Sequence, residues 1–115
     1  MANRIRMTPV FFHILLALAG GPRHGYALLQ EIDRRARGRV KLGPSSLYWA
    51  LGRLEEAHLI GEVASPEKDK DDERRRYWQL TEYGRDRLRA ELATLTDVLE
   101  HARIHDLLPD HNADR

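Results

Sequence analysis

One predicted helix start brings together several hydrogen-bond donors that could bind an anion. It lies in the stretch GPSSLYWALGRLEEAHLI, from Gly43 to Ile60. The hydroxyls of Ser45, Ser46 and Tyr48, with the free N–H groups of a first helical turn, can donate to phosphate oxygens. Arg53 can pair bidentately with guanine, although two turns into the helix it also suits a phosphate. Two alternatives stay open, namely that Tyr48 is a half-buried packing residue and that the serines are ordinary first-turn residues.

Basic side chains are grouped along the chain, although 19 basic and 18 acidic residues leave a formal net charge of only +1. A single basic run is most often a solvated surface. Two runs that flank one helix suit a polyanion better, because a polyanion is bound through several contacts at once. Acidic residues dominate 67–73, and we expect that segment to stand clear of phosphates. The two basic groups are Arg34, Arg35, Arg37, Arg39 and Lys41, and Arg74, Arg75 and Arg76.

Several classes of function lack the residues that they need. The sequence has no cysteine, which excludes disulfides, thiolate zinc sites and cysteine nucleophiles. It also lacks a glycine-rich phosphate loop and a nucleophile-elbow motif. His101 and His105 could share a metal, but histidines at this spacing are more often solvated, so we predict no metal and no cofactor. No apolar run reaches the roughly 20 residues of a membrane span. Without a signal peptide, we expect a cytoplasmic protein that is not an enzyme.

Hydrophobic spacing and helix-start signals predict three helices before residue 60. The first begins at Pro9 after the cap Thr8 and runs to Ala19, and the second runs from Gly25 to Arg37. The third begins at Pro44 with Gly43 as its cap. The apolar faces predicted for the second and third helices are Tyr26, Leu29 and Ile32, and Leu47, Leu51 and Leu54.

Two short strands and a long helix are predicted after the third helix. Val63 and Ala64 lie in one extended segment, and RRRYWQL forms the other, with Arg74 and Arg76 on one face and Arg75 on the opposite face. Thr81 caps the long helix, whose apolar residues follow a heptad spacing. Because the rest of this helix is polar, a second copy of the chain is expected to cover that stripe, which consists of Leu88, Leu92, Leu95, Leu99 and Ala102.

This order of elements is that of a winged helix-turn-helix, in which the third helix enters the DNA major groove and the hairpin, or wing, follows the backbone. The predicted fold class is mainly α with a small β-hairpin (α+β). We expect a winged helix-turn-helix at 1–80, a C-terminal dimerisation helix at 81–108 and a loose tail at 109–115. The predicted DNA-binding residues are Lys41, Ser45, Ser46, Tyr48, Trp49, Arg53, Arg74, Arg75 and Arg76.

Three motifs in this order resemble the PadR family of bacterial transcriptional regulators. They are HGYALLQEI, PSSLYWALGRLEEAHLI and RRRYWQLTEYGR, and the resemblance extends from about Thr8 to Leu92. The chain departs from the family pattern where Ser45 replaces glycine, Trp49 replaces proline and His58 replaces the glycine that ends the third helix. Without that glycine, we expect His58 to adopt a left-handed conformation at a cost of roughly 1 kcal/mol.

The resemblance implies a homodimeric repressor of the smaller, single-helix type that binds palindromic double-stranded DNA. It also implies regulation by a small molecule, often aromatic, for which Phe11, Phe12 and Trp78 are candidate pocket walls that could equally be core. The alternative is a winged helix used as a protein-interaction module, and an exposed Trp49 would favour it.

Overall fold

The computed structural model describes residues 5–65 and 75–109, and within them four helices and three strands follow the order αβααββα. The strands form one antiparallel sheet with the order β1-β3-β2. The bounds are α1 Pro9–Leu18, β1 Arg23–His24, α2 Gly25–Ala36, α3 Pro44–Glu56, β2 Ile60–Val63, β3 Tyr77–Leu80 and α4 Glu82–Ile104.

The core lies where the first three helices meet the sheet, and it is built almost entirely from aliphatic side chains. Each such side chain contributes roughly 1.5–3 kcal/mol when it is taken from water into the core. Trp78 is the one large aromatic side chain among the fully buried residues described, and it is 1% exposed. The other fully buried side chains are Ile14, Leu15, Leu18, Leu28, Ile32, Leu47, Leu51, Leu54 and Leu59.

Helix α1 begins as predicted, because the Thr8 hydroxyl accepts a hydrogen bond from the Phe11 N–H at 3.2 Å. At the start of α2, the His24 ring accepts from the Ala27 N–H through Nδ1 at 3.2 Å. The apolar face predicted for α2 is wrong at Tyr26, whose side chain is 66% exposed. The face that packs against α1 and α3 instead consists of Gly25, Leu28, Ile32 and Ala36, at spacings of three and four, with Glu31 beside it.

Helix α3 has the predicted cap, Gly43, and buries Leu47, Leu51 and Leu54, as predicted, together with Ala50. Its end also follows the prediction, since His58 has a left-handed backbone with φ of 63°. This conformation lets the Leu59 N–H donate to the Leu54 carbonyl at 3.0 Å, which closes the helix.

The sheet differs from the predicted hairpin in two respects. The β2–β3 pairing runs from Ile60 opposite Leu80 to Val63 opposite Tyr77, so β3 begins at Tyr77 and not at the arginines before it. In addition, Arg23–His24 adds a third strand on the other edge of β3. Two polar residues carry no strand periodicity, so this strand could not be predicted from local pattern.

Helix α4 begins after the predicted cap, since the Thr81 hydroxyl accepts from the Gly84 N–H at 2.9 Å and donates to the His58 carbonyl at 2.6 Å. A Cβ at Gly84 would lie 1.9 Å from the Leu59 carbonyl oxygen, so this contact between α4 and the start of the wing requires glycine. The Leu88 side chain is 4% exposed and belongs to the core of its own chain. The rest of α4 extends away from that core.

Candidate nucleic-acid interface

The outer face of α3 presents the predicted polar and aromatic side chains to solvent. Ser45, Trp49, Gly52 and Glu56 lie at spacings of four, three and four, so they form one stripe opposite the buried leucines. The exposed fraction is 65% for Trp49 and 48% for Tyr48. Tyr48, Ser46 and Arg53 flank this stripe, so α3 brings together every site residue predicted on it.

On the side of α3 that faces α1, the rings of Trp49 and Phe11 are stacked, with centroids 6.2 Å apart and an interplanar angle of 19°. Phe11 is the buried member of this pair, since it is only 6% exposed. The two rings line a cleft of about 610 Å³ between the start of α1 and the start of α3. The described residues that line it are Thr8, Val10, Phe11, Lys41, Leu42, Ser45, Ser46 and Trp49.

On the opposite side of α3, Tyr48 turns toward the base of the wing. Its ring meets that of Trp78 edge to face, with centroids 5.8 Å apart. Its hydroxyl lies against α2, where a Cβ at Gly25 would be 2.6 Å from the hydroxyl oxygen. Tyr48 is therefore a packing residue that remains 48% exposed. It lines a polar cavity of about 310 Å³ with His24, Gly25, Tyr26, Arg75 and Arg76.

Arg75 and Arg76 lie just before β3, so the prediction that these two arginines alternate along a strand is wrong. Arg75 Nη1 lies 3.0 Å from His24 Nε2 at the edge of the polar cavity. Arg76 donates to Glu62 at 2.8 Å, and its guanidinium lies 4.9 Å from the centroid of the Trp78 ring. This hydrogen bond lowers the pKa of the Glu62 carboxyl and raises the pKa of Arg76. Arg74 and the acidic segment at 67–73 lie outside the described residues.

The basic run at 34–41 is partly neutralised within α2. The Glu31 carboxylate is 8% exposed and accepts from Arg34 at 2.8 Å and also from Arg35. These hydrogen bonds lower the pKa of Glu31 to about 2. The bond from Arg35 contributes most, and the bond from Arg34 comes next. Lys41 lies beyond this cluster, in the wall of the cleft next to α3.

Arg53 lies on the second half of α3, where Nη1 is 3.7 Å from the Glu56 carboxylate. Its side chain is 45% exposed, so the ion pair is a weak surface pair that a phosphate could replace.

The three candidate effector residues are not brought together. Phe11 lines the cleft beside Trp49, whereas Phe12 lines a smaller cavity of about 300 Å³ that also contains His13 and Leu95. Trp78 lies in the core and lines neither cavity. Trp49 was not predicted as a cleft residue. The signals in the sequence were its position five residues after the proline that starts α3 and the phenylalanines on the first helix.

The predicted dimer stripe is divided by the fold. Leu92, Leu95 and Leu99 are 38%, 39% and 49% exposed, and Ala102 is partly buried. Leu88 is used by the core of its own chain, so it does not offer a free surface to a second copy.

The described residues contain neither a metal-binding cluster nor a membrane-spanning helix. The rings of His101 and His105 have centroids 4.8 Å apart, but within residues 5–65 and 75–109 no group of three or more metal-ligating side chains is assembled. In the same part of the chain, no helix is both long enough and apolar enough to cross a bilayer.

Three helices, a wing and an exposed third helix define a winged helix-turn-helix of the kind that transcriptional regulators use. The chain matches the family model of the PadR-like transcriptional regulators over residues 14–90 of its 115. It therefore belongs to the PadR-like family. Members of this family are transcriptional regulators and not enzymes, and the predicted family and fold class are confirmed.

Over 78 residues the chain is 44% identical to an uncharacterized 37.1 kDa protein in transposon TN4556 from Streptomyces fradiae, which covers 68% of this chain and 20% of that protein. The chain thus spans about a fifth of the length of that relative.

Solved structures show the same fold. A PadR family transcription regulator from Clostridium difficile R20291 is similar with a TM-score of 0.70 and 24% identity, over 85% of this chain and 98% of that one. A transcriptional regulator from Clostridium thermocellum is similar with a TM-score of 0.64 and 23% identity, over 87% and 90% of the two chains.

Proposed function

We propose that this chain is a homodimeric repressor that binds an inverted-repeat DNA operator through α3 and the base of the wing. The observation that carries the proposal is the exposed outer face of α3, whose hydroxyls lie between Lys41 on one side and Arg75 and Arg76 on the other. Hydroxyls and cations placed around one exposed helix suit a DNA groove and its two phosphate walls.

The dimer is supported by the apolar stripe of α4. Three leucines at spacings of three and four are 38–49% exposed, although Leu95 also lines a cavity with Phe12 and His13 of α1. A two-fold axis through this stripe would relate two copies of α3, and two-fold symmetric proteins bind symmetric half-sites. The stripe at Leu92, Leu95 and Leu99 is thus the proposed interface, with Ala102 at its far end.

A small-molecule effector is supported by the cleft beside Trp49. Its volume of about 610 Å³ is within the range of ligand sites, and its walls are mainly apolar with one lysine and three hydroxyl groups. Because Ser45, Ser46 and Trp49 belong both to this cleft and to the outer face of α3, a ligand there would compete directly with DNA. We propose an aromatic effector at this place rather than at Phe12 or Trp78.

The test of the proposed function is a titration of labelled duplex with the full chain at 50 to 200 mM salt. A fragment of the chain's own promoter and duplexes selected from a random pool serve as targets. We expect an inverted repeat among the selected duplexes, and affinity that falls steeply with salt because phosphate contacts release counterions. Binding to no duplex in a salt-sensitive manner would contradict the proposal.

Repression and location follow from the same proposal. A regulator of bacterial promoters acts on the chromosome, so we propose a cytoplasmic location. A reporter driven by the bound promoter should rise when the chain is removed, whereas a fall would make the chain an activator.

A second candidate function, a winged helix that binds another protein, is favoured by the 65% exposure of Trp49 on α3. Protein interfaces are enriched in such aromatic side chains. The salt titration separates the two candidates, since a protein-binding module would show no duplex selection.

A further inference from the structure

Trp49 is the most exposed large apolar side chain on α3, and it lies in the central outer stripe with Ser45 and Gly52. An indole that is 65% exposed on a polar helix face obtains little stabilisation from burial in the free protein. Its place, one turn after the helix start, is where recognition helices meet base edges.

The ring is held in position before any DNA arrives. Phe11, which is itself 6% exposed and part of the core, stacks on one face of the indole at 6.2 Å. A side chain that is already ordered loses less conformational entropy on binding. The opposite face and the edge of the indole remain open.

The residues around the indole leave room for a DNA groove to come close to it. Gly52, three residues on, has nothing within 4 Å of the position that a Cβ would take, among the residues described. Arg53, four residues on from Trp49, is paired at 3.7 Å with Glu56, so the next turn carries a mutually compensated pair. The indole is therefore the apolar projection of this stripe.

The major groove offers one apolar feature, which is the C5-methyl group of thymine, while the other base edges present hydrogen-bond donors and acceptors. We infer that Trp49 contacts a thymine methyl group in each half-site, an inference that rests on the DNA-binding function proposed above. Trp49 is then a specificity-determining residue, while Ser45, Ser46 and Tyr48 position the helix on phosphates.

The experiment replaces each thymine of the selected operator by deoxyuridine, one symmetric pair at a time, which removes only the methyl group. For the wild-type chain we expect one symmetric pair of positions at which loss of both methyl groups lowers the affinity for the operator about fifteenfold. This corresponds to about fourfold for each half-site. In Trp49→Ala the same substitution should have no further effect, since the contact is already absent. Trp49→Phe should retain part of the preference.

The matched control is Tyr48→Phe, which removes a hydroxyl near the same helix but leaves the indole in place. It should weaken binding to all duplexes alike and keep the full deoxyuridine penalty. Emission of the buried Trp78 reports whether Trp49→Ala is folded. A wild-type penalty that persists in folded Trp49→Ala would overturn the inference.

Two further outcomes also decide the matter. If no thymine position is sensitive in the wild-type chain, Trp49 does not contact a methyl group, and the DNA-binding proposal still stands. With no thymine position sensitive, a loss of affinity on 7-deazaguanine substitution that disappears in Trp49→Ala would mean that the indole N–H donates to guanine instead, which overturns the methyl contact. If the wild-type chain binds no duplex, both proposals fail together.

Discussion

On the side of α3 that faces α1, Trp49 and Phe11 form an apolar wall with a single lysine, whereas on the side that faces the wing, Tyr48 lies near two arginines. One helix thus separates two kinds of surface. The charged side can supply affinity for any duplex, because phosphate contacts are independent of sequence. Apart from Lys41 and the serine hydroxyls, the apolar side has little to offer a phosphate, so its rings gain most from contact with a base. The difference suggests that affinity and specificity are placed on opposite sides of α3.

The largest expected effect comes from removing the proposed second copy, which would halve both surfaces at once. Leu92→Asp combined with Leu95→Asp should give monomers whose affinity for the operator is reduced roughly 100-fold or more, since the two half-sites are then bound separately. Sedimentation and duplex titration measure the two effects. Ala93→Asp with Thr94→Asp adds the same charge off the stripe of α4 and should remain dimeric. A Leu92 and Leu95 variant that stays dimeric would refute the proposed interface.

The charged side can be weakened alone. Arg75→Gln with Arg76→Gln should reduce affinity by roughly tenfold at low salt and lower the slope against log salt by about 2, because two phosphate contacts are lost. The preference for thymine should not change. Lys41→Gln, on the other side, is the comparison and should lower the slope by about 1 at most. A change in the selected sequence with the arginine variant would mean that the wing side contributes to specificity.

The turn that joins α3 to the wing can be relaxed without touching either surface. His58 has φ of 63°, which costs a non-glycine residue roughly 1 kcal/mol. His58→Gly should therefore raise the free energy of unfolding by up to about 1 kcal/mol, less the greater chain entropy of glycine when unfolded. Denaturant unfolding measures this gain, and duplex titration should show no change. Lower stability would indicate that the His58 side chain has a compensating contact.

A smaller effect should come from freeing Arg76. Glu62 accepts from it at 2.8 Å and places a carboxylate beside the proposed phosphate path. Glu62→Gln removes the repulsion and releases the guanidinium, so affinity should rise roughly threefold and the salt slope should become steeper. Asp97→Asn removes the same charge from the exposed surface of α4. Equal gains for the two variants would show a general charge effect rather than release of Arg76.

The smallest expected effect concerns Glu31, which lies on α2 and lines neither of the two surfaces. Its pKa is about 2 when folded and 4.5 ordinarily, so the carboxylate stabilises the fold above pH 4.5 and this stabilisation is lost as the pH falls toward 2. Because both arginines are solvent exposed, the contribution is about 1 kcal/mol or less. Glu31→Gln should be less stable at pH 7 and equal to wild type near pH 2, by thermal unfolding. An unchanged difference at both pH values would exclude the ion pairs as its cause.

Local sequence signals were sufficient for the helix ends and the core of α3. Thr8, Gly43 and Thr81 are caps as predicted, and His58 adopts the expected left-handed turn. Such features depend on neighbours within a few residues, which the chain itself specifies. The wing was predicted as a hairpin for the same reason, since a charged loop with a proline separates two short extended segments.

Long-range contacts account for what was missed. Tyr26 has the spacing of an apolar face, but α2 approaches α3 through Gly25 and leaves the tyrosine in solvent. The third strand exists only because Arg23 and His24 lie beside β3. Arg76 was expected to be available to DNA, but its partner Glu62 is on the opposite strand of the wing.

The sequence by itself determined the family, the order of the four helices and the wing hairpin, and the hydroxyl-bearing start of α3, because periodicity, capping residues and motif order are local properties. The tertiary structure alone decided that Leu88 belongs to the core while Leu92, Leu95 and Leu99 remain exposed. It also decided that Trp49 stacks on Phe11, 38 positions earlier in the chain, while its neighbour Tyr48 turns to the wing. Adjacent residues on a helix point about 100° apart, and only the packing of the other elements settles what each of them meets.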